Sequence, residues 1–337
     1  MAAELVGRGM TDLIQIGLGP WGLDWAAKIL PQLPDVQVTG WVDASPEARA
    51  AFTAKTGRDN VFATVEEALQ ATGAVAAIAP VAIGAHAAVA RQVLEAGAHL
   101  LLEKPFTLDA ATARELAGLA ERKGLVFGID QNYRIFPGAP VVHDLLDRRA
   151  VGAVRRVSLE WHRDHAGVRD ANSLVELAIH HFDLMRYLFG REGVAITCVP
   201  VTPVRSAQDR TPGASLIVEL DGGLTIDYVL SSQGVGPQTP WPGVWRISGD
   251  EGLLTWGAAP DDHRAVSITD AAGNVRAVEV TELPLFERAG VLRAFVDAVA
   301  GTGEPTSPAA DNAHSVAMLE AALTSARTGE RTRVEQW

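Results

Sequence analysis

The sequence predicts an α/β protein in two parts: a parallel sheet covered by helices on both faces, then an α+β part with a large, open, mainly antiparallel sheet. Three observations predict it. Apolar strand-like runs alternate with helix-like stretches from Asp12 to about Gln131. After Asn132 the rhythm changes to short strands divided by turn signals. A glycine pattern sits at the first strand-to-helix junction. The division falls at residues 11–131 and 132–337.

Strands of the first part are read at 13–18, 36–43, 74–80, 99–105 and 125–130. Helices are read between them at about 21–31, 45–57, 86–97 and 108–124. Ser45 suits an N-cap, Pro46 suits the first helical position, and Asp109 opens the last helix. Uniformly apolar strands joined through helices imply parallel pairing and right-handed crossovers. In the second part, helices are expected at 138–150, 173–190, 286–301 and 309–328. Strands are expected at 154–165, 194–204, 213–221, 224–232, 243–249 and on through 282. The "DGG" at 221–223 reads as a hairpin turn. Leu224, Ile226, Tyr228 and Leu230 fall on one face of their strand, which implies a sheet with one buried face.

Composition removes several function classes. The chain has 337 residues, 47% hydrophobic and 21% charged, and a formal net charge of −12. No basic cluster offsets that charge, which argues against nucleic acid or an anionic membrane as partner. No apolar run reaches the ~18–20 residues that a membrane-spanning helix requires. The opening "MAAELVGRGM" lacks the basic and apolar regions of a signal peptide. Cys198 is the only cysteine, so an intrachain disulfide is impossible, and a reducing cytoplasm fits best.

The chemistry begins at "GLGPWG", Gly17 to Gly22. Gly17 allows a tight turn, Gly19 lets a diphosphate approach the backbone, and Gly22 lets helix and strand pack closely. Pro20 and Trp21 complete the turn, and the helix start offers N–H groups to phosphate. Asp43 ends the second strand, where a carboxylate accepts from the adenosine ribose hydroxyls and repels a 2′-phosphate. No Arg or Lys follows until Arg49, so NAD is favoured over NADP. The third strand ends at Ala79 and Pro80, and the fourth in "LLEKPF", with Glu103 and Lys104 at the carboxyl end of a parallel sheet, where ligands bind.

These features, together with "LEAGAHLLLEKP" and "ELAIHHFDLMRYLFG" (176–190), resemble the glucose–fructose oxidoreductase/inositol dehydrogenase family (Gfo/Idh/MocA) over nearly the whole chain. The resemblance implies a Rossmann dinucleotide-binding domain followed by an α/β domain with an open sheet. It also implies NAD(P)-dependent hydride transfer on a sugar, cyclitol or related polyol. Lys104 then reaches the nicotinamide and polarises the reacting hydroxyl, while His180 accepts its proton. A cis Lys104–Pro105 bond is expected in this motif. The cofactor-contacting set further includes Ala79, Pro80, His86, Glu103 and Asn132. The contact at Pro80 is through backbone, because the family's usual Thr-Pro is replaced by Pro80-Val81.

Glu176, His180, Asp183 and Tyr187 share one face of a regular helix. Glu176 stands where many members carry aspartate, and either orients His180 or touches a second substrate hydroxyl. Substrate contacts are assigned to Lys104, Tyr133, Arg134, Trp161, His162, Glu176, His180 and Asp183. His181 is a bystander or a further contact. Arg163, Asp164 and His165 either join the site or face the sheet's outer surface. "TPWPGVW" (239–245) reads as a substrate lid or an oligomer contact. Glu176, His180 and Asp183 could in principle hold zinc, but no metal is expected where NAD takes the hydride. A homodimer or homotetramer through the open sheet is expected. Two other readings of the family pattern stay open: an NAD-dependent glycoside hydrolase, and a non-catalytic NAD(P)-binding regulator.

Overall fold

The protein is described by a computed structural model covering residues 10–164, 171–204, 206, 208–233 and 236–337. His165 lies outside the described residues, as does most of the opening segment. The chain forms two compact units. One comprises residues up to 107, with 111–131 and 288–311; the other comprises 108–110, 132–287 and 312–337.

The first unit holds six parallel strands: β1 (Thr11–Ile16), β2 (Val36–Val42), β3 (Val61–Phe62), β4 (Ala76–Ala79), β5 (His99–Leu102) and β6 (Phe127–Ile129). Their order is β3-β2-β1-β4-β5-β6. The order reverses between β1 and β4, and ligand crevices form at such a point beyond the strand carboxyl ends. Central strands are apolar on both faces, and every residue of β4 is buried. Helix Pro46–Thr56 starts where its residues dictate, with Ser45 Oγ accepting from Ala48 N–H at 3.1 Å and Gly57 closing it at φ 71°.

Two elements were not anticipated, β3 and the helix Val65–Thr72. A two-residue strand carries no periodicity. The helix had a signal in Thr64-x-x-Glu67, since Thr64 Oγ1 accepts from Glu67 N–H at 3.2 Å.

Residues 288–311, which the division at 131/132 assigns to the second part, group with the first unit. Ile129 N–H donates to the Ser307 carbonyl at 2.9 Å, and Gly128 pairs with Pro308 as an antiparallel bridge. Arg293 reaches Asp35 at 2.6 Å and Arg288 reaches Asp24 at 2.7 Å. Such long-range pairings leave no trace in local sequence pattern.

The second unit is built on nine strands: β7 (Val154–His162), β8 (Gly193–Pro200), β9 (Gly213–Leu220), β10 (Leu224–Ser231), β11 (Val244–Gly249), β12 (Gly252–Trp256), β13 (Val266–Asp270), β14 (Val275–Val278) and β15 (Thr332–Arg333). Their order is β14-β13-β12-β11-β7-β10-β9-β8-β15. Only β7 and β10 pair in parallel; the other neighbours are antiparallel. The hairpin at 221–223 joins β9 and β10, with Leu224 opposite Leu220.

Alternation decides the faces. Val157, Leu159 and Trp161 of β7, with Ile226, Tyr228 and Leu230 of β10, enter a core shared with helix Ile179–Phe189. Residues between them, such as Arg156, Glu160 and Val229, lie on the opposite, exposed face. The region 173–190 is not one regular helix. A π turn, Leu174–Ala178, precedes the α-helix Ile179–Phe189. Its wider i→i+5 bonding alters the angular spacing of Glu176 from His180 that a regular helix implies.

Within this core His181 is fully buried, with Nδ1 2.6 Å from the Tyr228 hydroxyl. Burial pushes its imidazole down to about 3, against the partial support of the Trp241 and Pro242 carbonyls. The folded state therefore excludes a proton that the unfolded chain binds below its ordinary value of about 6.5. The stability this group contributes is complete above that value and is lost as pH falls toward about 3. Thermal unfolding between pH 7 and 4.5 should show stability falling with acidification, at up to about 1.4 kcal/mol per pH unit from this one site. A His181→Gln protein should show a shallower slope over the same interval, and an unchanged slope would remove His181 as its source.

Candidate active site

The glycine turn after β1 is held from within. Gln15 is fully buried, and its Nε2 donates to the carbonyls of Gly17 at 3.1 Å and Gly22 at 2.9 Å. Gly17 adopts φ 97°, and a Cβ there would lie 2.7 Å from the Pro80 carbonyl oxygen. A Cβ on Gly22 would lie 2.0 Å from the Gly17 carbonyl oxygen, so only glycine fits. A Cβ on Gly19 would meet nothing within 4 Å, which leaves the backbone open to close approach. Gly19 caps Pro20–Asp24 with no side-chain bond, so the first N–H groups have no side-chain acceptor there.

Asp43 lies just past β2 and closes the turn. Its Oδ2 accepts from Leu18 N–H at 2.9 Å and its Oδ1 from Ser45 N–H at 2.9 Å. Each oxygen keeps a second lone pair for a ribose hydroxyl. Arg49 folds back so that its guanidinium donates to the carbonyls of Asp43 at 2.6 Å and Ala44 at 3.0 Å. A cation six residues downstream thus stands against the backbone of Asp43 and Ala44.

At the end of β5, Glu103 is buried and accepts two indole N–H bonds, from Trp21 at 2.5 Å and Trp25 at 2.8 Å. Arg288 lies over the Trp21 ring at 4.3 Å. Glu103 therefore fastens the glycine turn to the segment carrying Lys104, and Trp21 serves that link. Lys104 is half-buried and its bond to Pro105 is cis. His86 is buried, with Nδ1 2.8 Å from the Pro105 carbonyl and Nε2 3.0 Å from the Val81 carbonyl. It pins two loops together, and burial lowers its pKa from the usual imidazole value. Ala79 and Pro80 are buried at the end of β4.

These features fit a dinucleotide. The turn has open backbone at Gly19, a carboxylate stands past β2, and Gln131 beyond β6 is fully buried with no protein partner for either amide atom. Gln15, Trp25 and Arg288 were not anticipated. Only Gln15 carried a signal, as a polar residue inside an apolar strand.

In the second unit the helix Ile179–Phe189 presents His180, and the 3₁₀ turn Asn132–Ile135 packs on it. Tyr133 stacks on His180 with ring centroids 4.3 Å apart and planes 14° apart. Arg134 forms a two-pronged pair with Asp183, Nε to Oδ2 at 2.6 Å and an Nη to Oδ1 at 2.7 Å. Asn312 and Ser315 also donate to Asp183 Oδ1, at 3.0 and 3.3 Å. Glu176 is half-buried on the π turn.

Trp161 is fully buried in the core, its ring 6.0 Å from that of Trp241. His162 is partly buried and pairs through its backbone with Thr239. Arg163 donates to the Thr239 carbonyl at 2.5 Å, pairs with Asp261 at 2.7 Å and lies over Trp241 at 4.6 Å. The tryptophan loop at 239–245 is thus fastened to the end of β7. Among the described residues, no group of three or more His, Cys, Asp or Glu is placed to hold a metal ion. No helix there is long and apolar enough to cross a membrane.

Comparison with known proteins matches the chain in two consecutive stretches. The family described as "Oxidoreductase family, NAD-binding Rossmann fold" matches residues 14–131, and its "C-terminal alpha/beta domain" matches 144–335. UDP-N-acetylglucosamine 3-dehydrogenase of Acidithiobacillus ferrooxidans is 33% identical over 174 residues, 51% of this chain and 53% of that enzyme. The chain thus spans about half of that relative's length. dTDP-3,4-didehydro-2,6-dideoxy-alpha-D-glucose 3-reductase of Streptomyces violaceoruber is 28% identical over 238 residues, 67% of each chain. The solved oxidoreductase of Agrobacterium radiobacter, in complex with NAD+, L-tartaric acid and magnesium, superposes with a TM-score of 0.80. It is 16% identical, over 96% of this chain and 98% of that one.

The geometry around Asp43 sets a cofactor test. Replacing Asp43 by Ser together with Ala44→Arg removes the repulsion of a 2′-phosphate and adds a partner beside Arg49. Fluorescence titrations should show the unmodified protein binding NAD more tightly than NADP, and the double variant reversing or erasing that preference. Tighter NADP binding by the unmodified protein would mean that Arg49, not Asp43, governs the site.

Proposed function

We propose that this chain, which belongs to the Gfo/Idh/MocA oxidoreductase family, transfers a hydride between a hydroxyl-bearing carbon of a sugar, cyclitol or related polyol and NAD. The observation that carries the reading is that a chain with a complete dinucleotide turn in one unit also holds, in the other, an imidazole flat against Tyr133 on a buried helix. When bound, NAD supplies the hydride acceptor.

The chain's own residues supply the rest. Gly17 to Gly22, the helix start and Asp43 hold the dinucleotide, with Ala79, Pro80 and Glu103 shaping the same strand ends. Lys104 polarises the reacting hydroxyl, and His180 accepts the proton that leaves oxygen as the hydride leaves carbon. Glu176 and Asn132 contact the polar groups of substrate or cofactor ribose. Tyr133, Arg134 and Asp183 act through His180. Trp161 and His162 shape the wall from behind, because their packing within the unit takes up most of their surface. A cytoplasmic enzyme fits a chain whose one cysteine, Cys198, is buried.

The test is a screen of purified protein with NAD against monosaccharides, inositols and UDP-N-acetylglucosamine, reading NADH and product together. Net NADH with an oxidised sugar supports the proposal, whereas aglycone release without net NADH supports glycoside hydrolysis. On the best panel compound, His180→Ala should lower kcat by roughly 10²- to 10⁴-fold with NAD affinity little changed. Lys104→Ala should be at least as damaging, and Lys104→Arg should not restore activity because a guanidinium stays protonated. A His180→Ala protein with near-native kcat would remove the acid/base assignment.

We further propose that the exposed face of the nine-stranded sheet joins copies of this chain. Val199, Ile217 and Val229 stand on it at 65%, 47% and 49% exposure. Val199 and Val229 both lie opposite Ser215, so these side chains form a patch across three strands. Light scattering should report a dimer or tetramer, and Ile217→Lys should shift it toward monomer. A monomeric native protein at micromolar concentration would sink this reading.

A further inference from the structure

We propose that the short turn Asn132–Ile135 is a positioning device for the imidazole of His180. In this device Tyr133 sets the plane of the ring and stabilises its protonated form, while Arg134 holds the helix turn that carries it. This inference rests on the reading of His180 as proton acceptor and assigns Tyr133 and Arg134 to it rather than to substrate.

An imidazole needs such a device. Rotation about its last side-chain bond is broad and roughly two-fold, so a helix alone does not aim the accepting nitrogen. Tyr133 supplies the constraint. Its ring lies 4.3 Å from that of His180, with the planes 14° apart. Tyr133 is itself held edge-on by Phe136 at 5.5 Å and 89°, and by His181 at 5.4 Å and 69°. With neighbours on three sides the phenol cannot rotate out without moving the core, so the imidazole keeps its plane.

The same contact favours charge on His180. Burial raises the Tyr133 hydroxyl well above its ordinary range, so the ring stays neutral. A neutral aromatic face attracts a cation and does little for a neutral imidazole. The protonated His180 formed when oxygen loses its proton is therefore stabilised relative to the form that precedes it. The charged and titratable groups around this pair include Glu176 one turn before, Asp183 one turn after, Arg134 on Asp183, His181 with Tyr228 behind it, and Arg163 and Glu287, whose charges reach Tyr133. Farther along the helix Arg186 pairs with Glu192 and Tyr187 stacks on His143. Arg134 and Asp183 neutralise each other through their paired prongs. His181 stays neutral because burial lowers its pKa to about 3.

Arg134 gives the second fixed point. Asp183 stands three residues after His180, on the same side of the helix. Arg134 grips it with two bonds, and Asn312 and Ser315 hold the same oxygen from the helix Ala309–Thr328. In a 3₁₀ turn successive residues point about 120° apart, so one turn can lay an aromatic ring on position 180 and a guanidinium on position 183.

The experiment titrates the His180 ring by NMR in the ligand-free protein. It compares wild type, Tyr133→Phe and Tyr133→Leu, with His180→Ala identifying the resonance. The same proteins are assayed with NAD and the most active panel sugar or inositol. Tyr133→Phe should titrate as wild type and keep its kcat. Tyr133→Leu should titrate about half a pH unit lower and lose kcat by roughly tenfold to a hundredfold, with NAD affinity unchanged. Tyr133→Met, closer in volume, takes its place if Tyr133→Leu does not fold. A titration point unmoved or raised in the ring-less variants, with kcat retained, overturns the inference. Full activity in His180→Ala overturns instead the reading of His180 as proton acceptor, and the NMR comparison still decides whether Tyr133 controls the ring.

Discussion

The second unit is organised around one buried carboxylate. Asp183 is almost wholly shielded from water and receives a two-pronged guanidinium from Arg134, an amide N–H from Asn312 and a hydroxyl from Ser315. These partners come from the turn Asn132–Ile135 and the helix Ala309–Thr328, far apart in sequence. A buried ion pair is expensive to desolvate, and only full satisfaction of its lone pairs makes it tolerable. Removing one partner would leave an uncompensated charge, at a cost of about 3–5 kcal/mol. The three segments are therefore not independently adjustable. That coupling keeps a helix carrying an imidazole in one position.

The first unit uses a parallel device with different chemistry. Glu103 accepts from the indoles of Trp21 and Trp25, so the glycine turn and the strand end bearing Lys104 are tied through one oxygen. Gln15 ties the turn to itself, and His86 ties the Val81 loop to Pro105. The Glu103 and His86 links each span two loops at the carboxyl ends of parallel strands, where the backbone has run out of ladder partners and side chains must complete the bonding. A π turn also follows the glycine-turn helix at Trp25–Ile29, as another precedes the helix of His180. Such turns recur where a helix must aim residues that a regular 3.6-residue spiral would misplace.

Much of this was legible in the sequence because it rests on local rules. The parallel sheet follows from uniformly apolar strands, the turn from glycine spacing, the sheet's buried face from alternation at Leu224, Ile226, Tyr228 and Leu230. What was not legible depends on partners distant in sequence. Asp183 and Arg134 looked like groups for a substrate, and only the fold shows them spent on each other. Trp161 looked like a stacking surface but lies at 0% exposure in the core. Arg49 looked too far downstream to matter to Asp43, yet a helix brings residue 49 back over residue 43. The grouping of 288–311 with the first unit rests on Arg288, Arg293 and the Ile129–Ser307 bond, all long-range.

His180 and His181 show how burial separates two identical side chains. Successive residues on a helix point about 100° apart, so although both rings touch Tyr133, one by its face and the other edge-on, their remaining surroundings differ. His181 turns into the sheet, meets the Tyr228 hydroxyl and is held neutral by burial. His180 turns onto a phenol face that welcomes charge. One histidine is thereby withdrawn from proton exchange near neutral pH, and the other lies flat against an aromatic face. A single residue shift of the helix would exchange these environments. The anchoring of Asp183 by Arg134, Asn312 and Ser315 prevents that shift, because a buried carboxylate cannot leave its donors without losing all of them together.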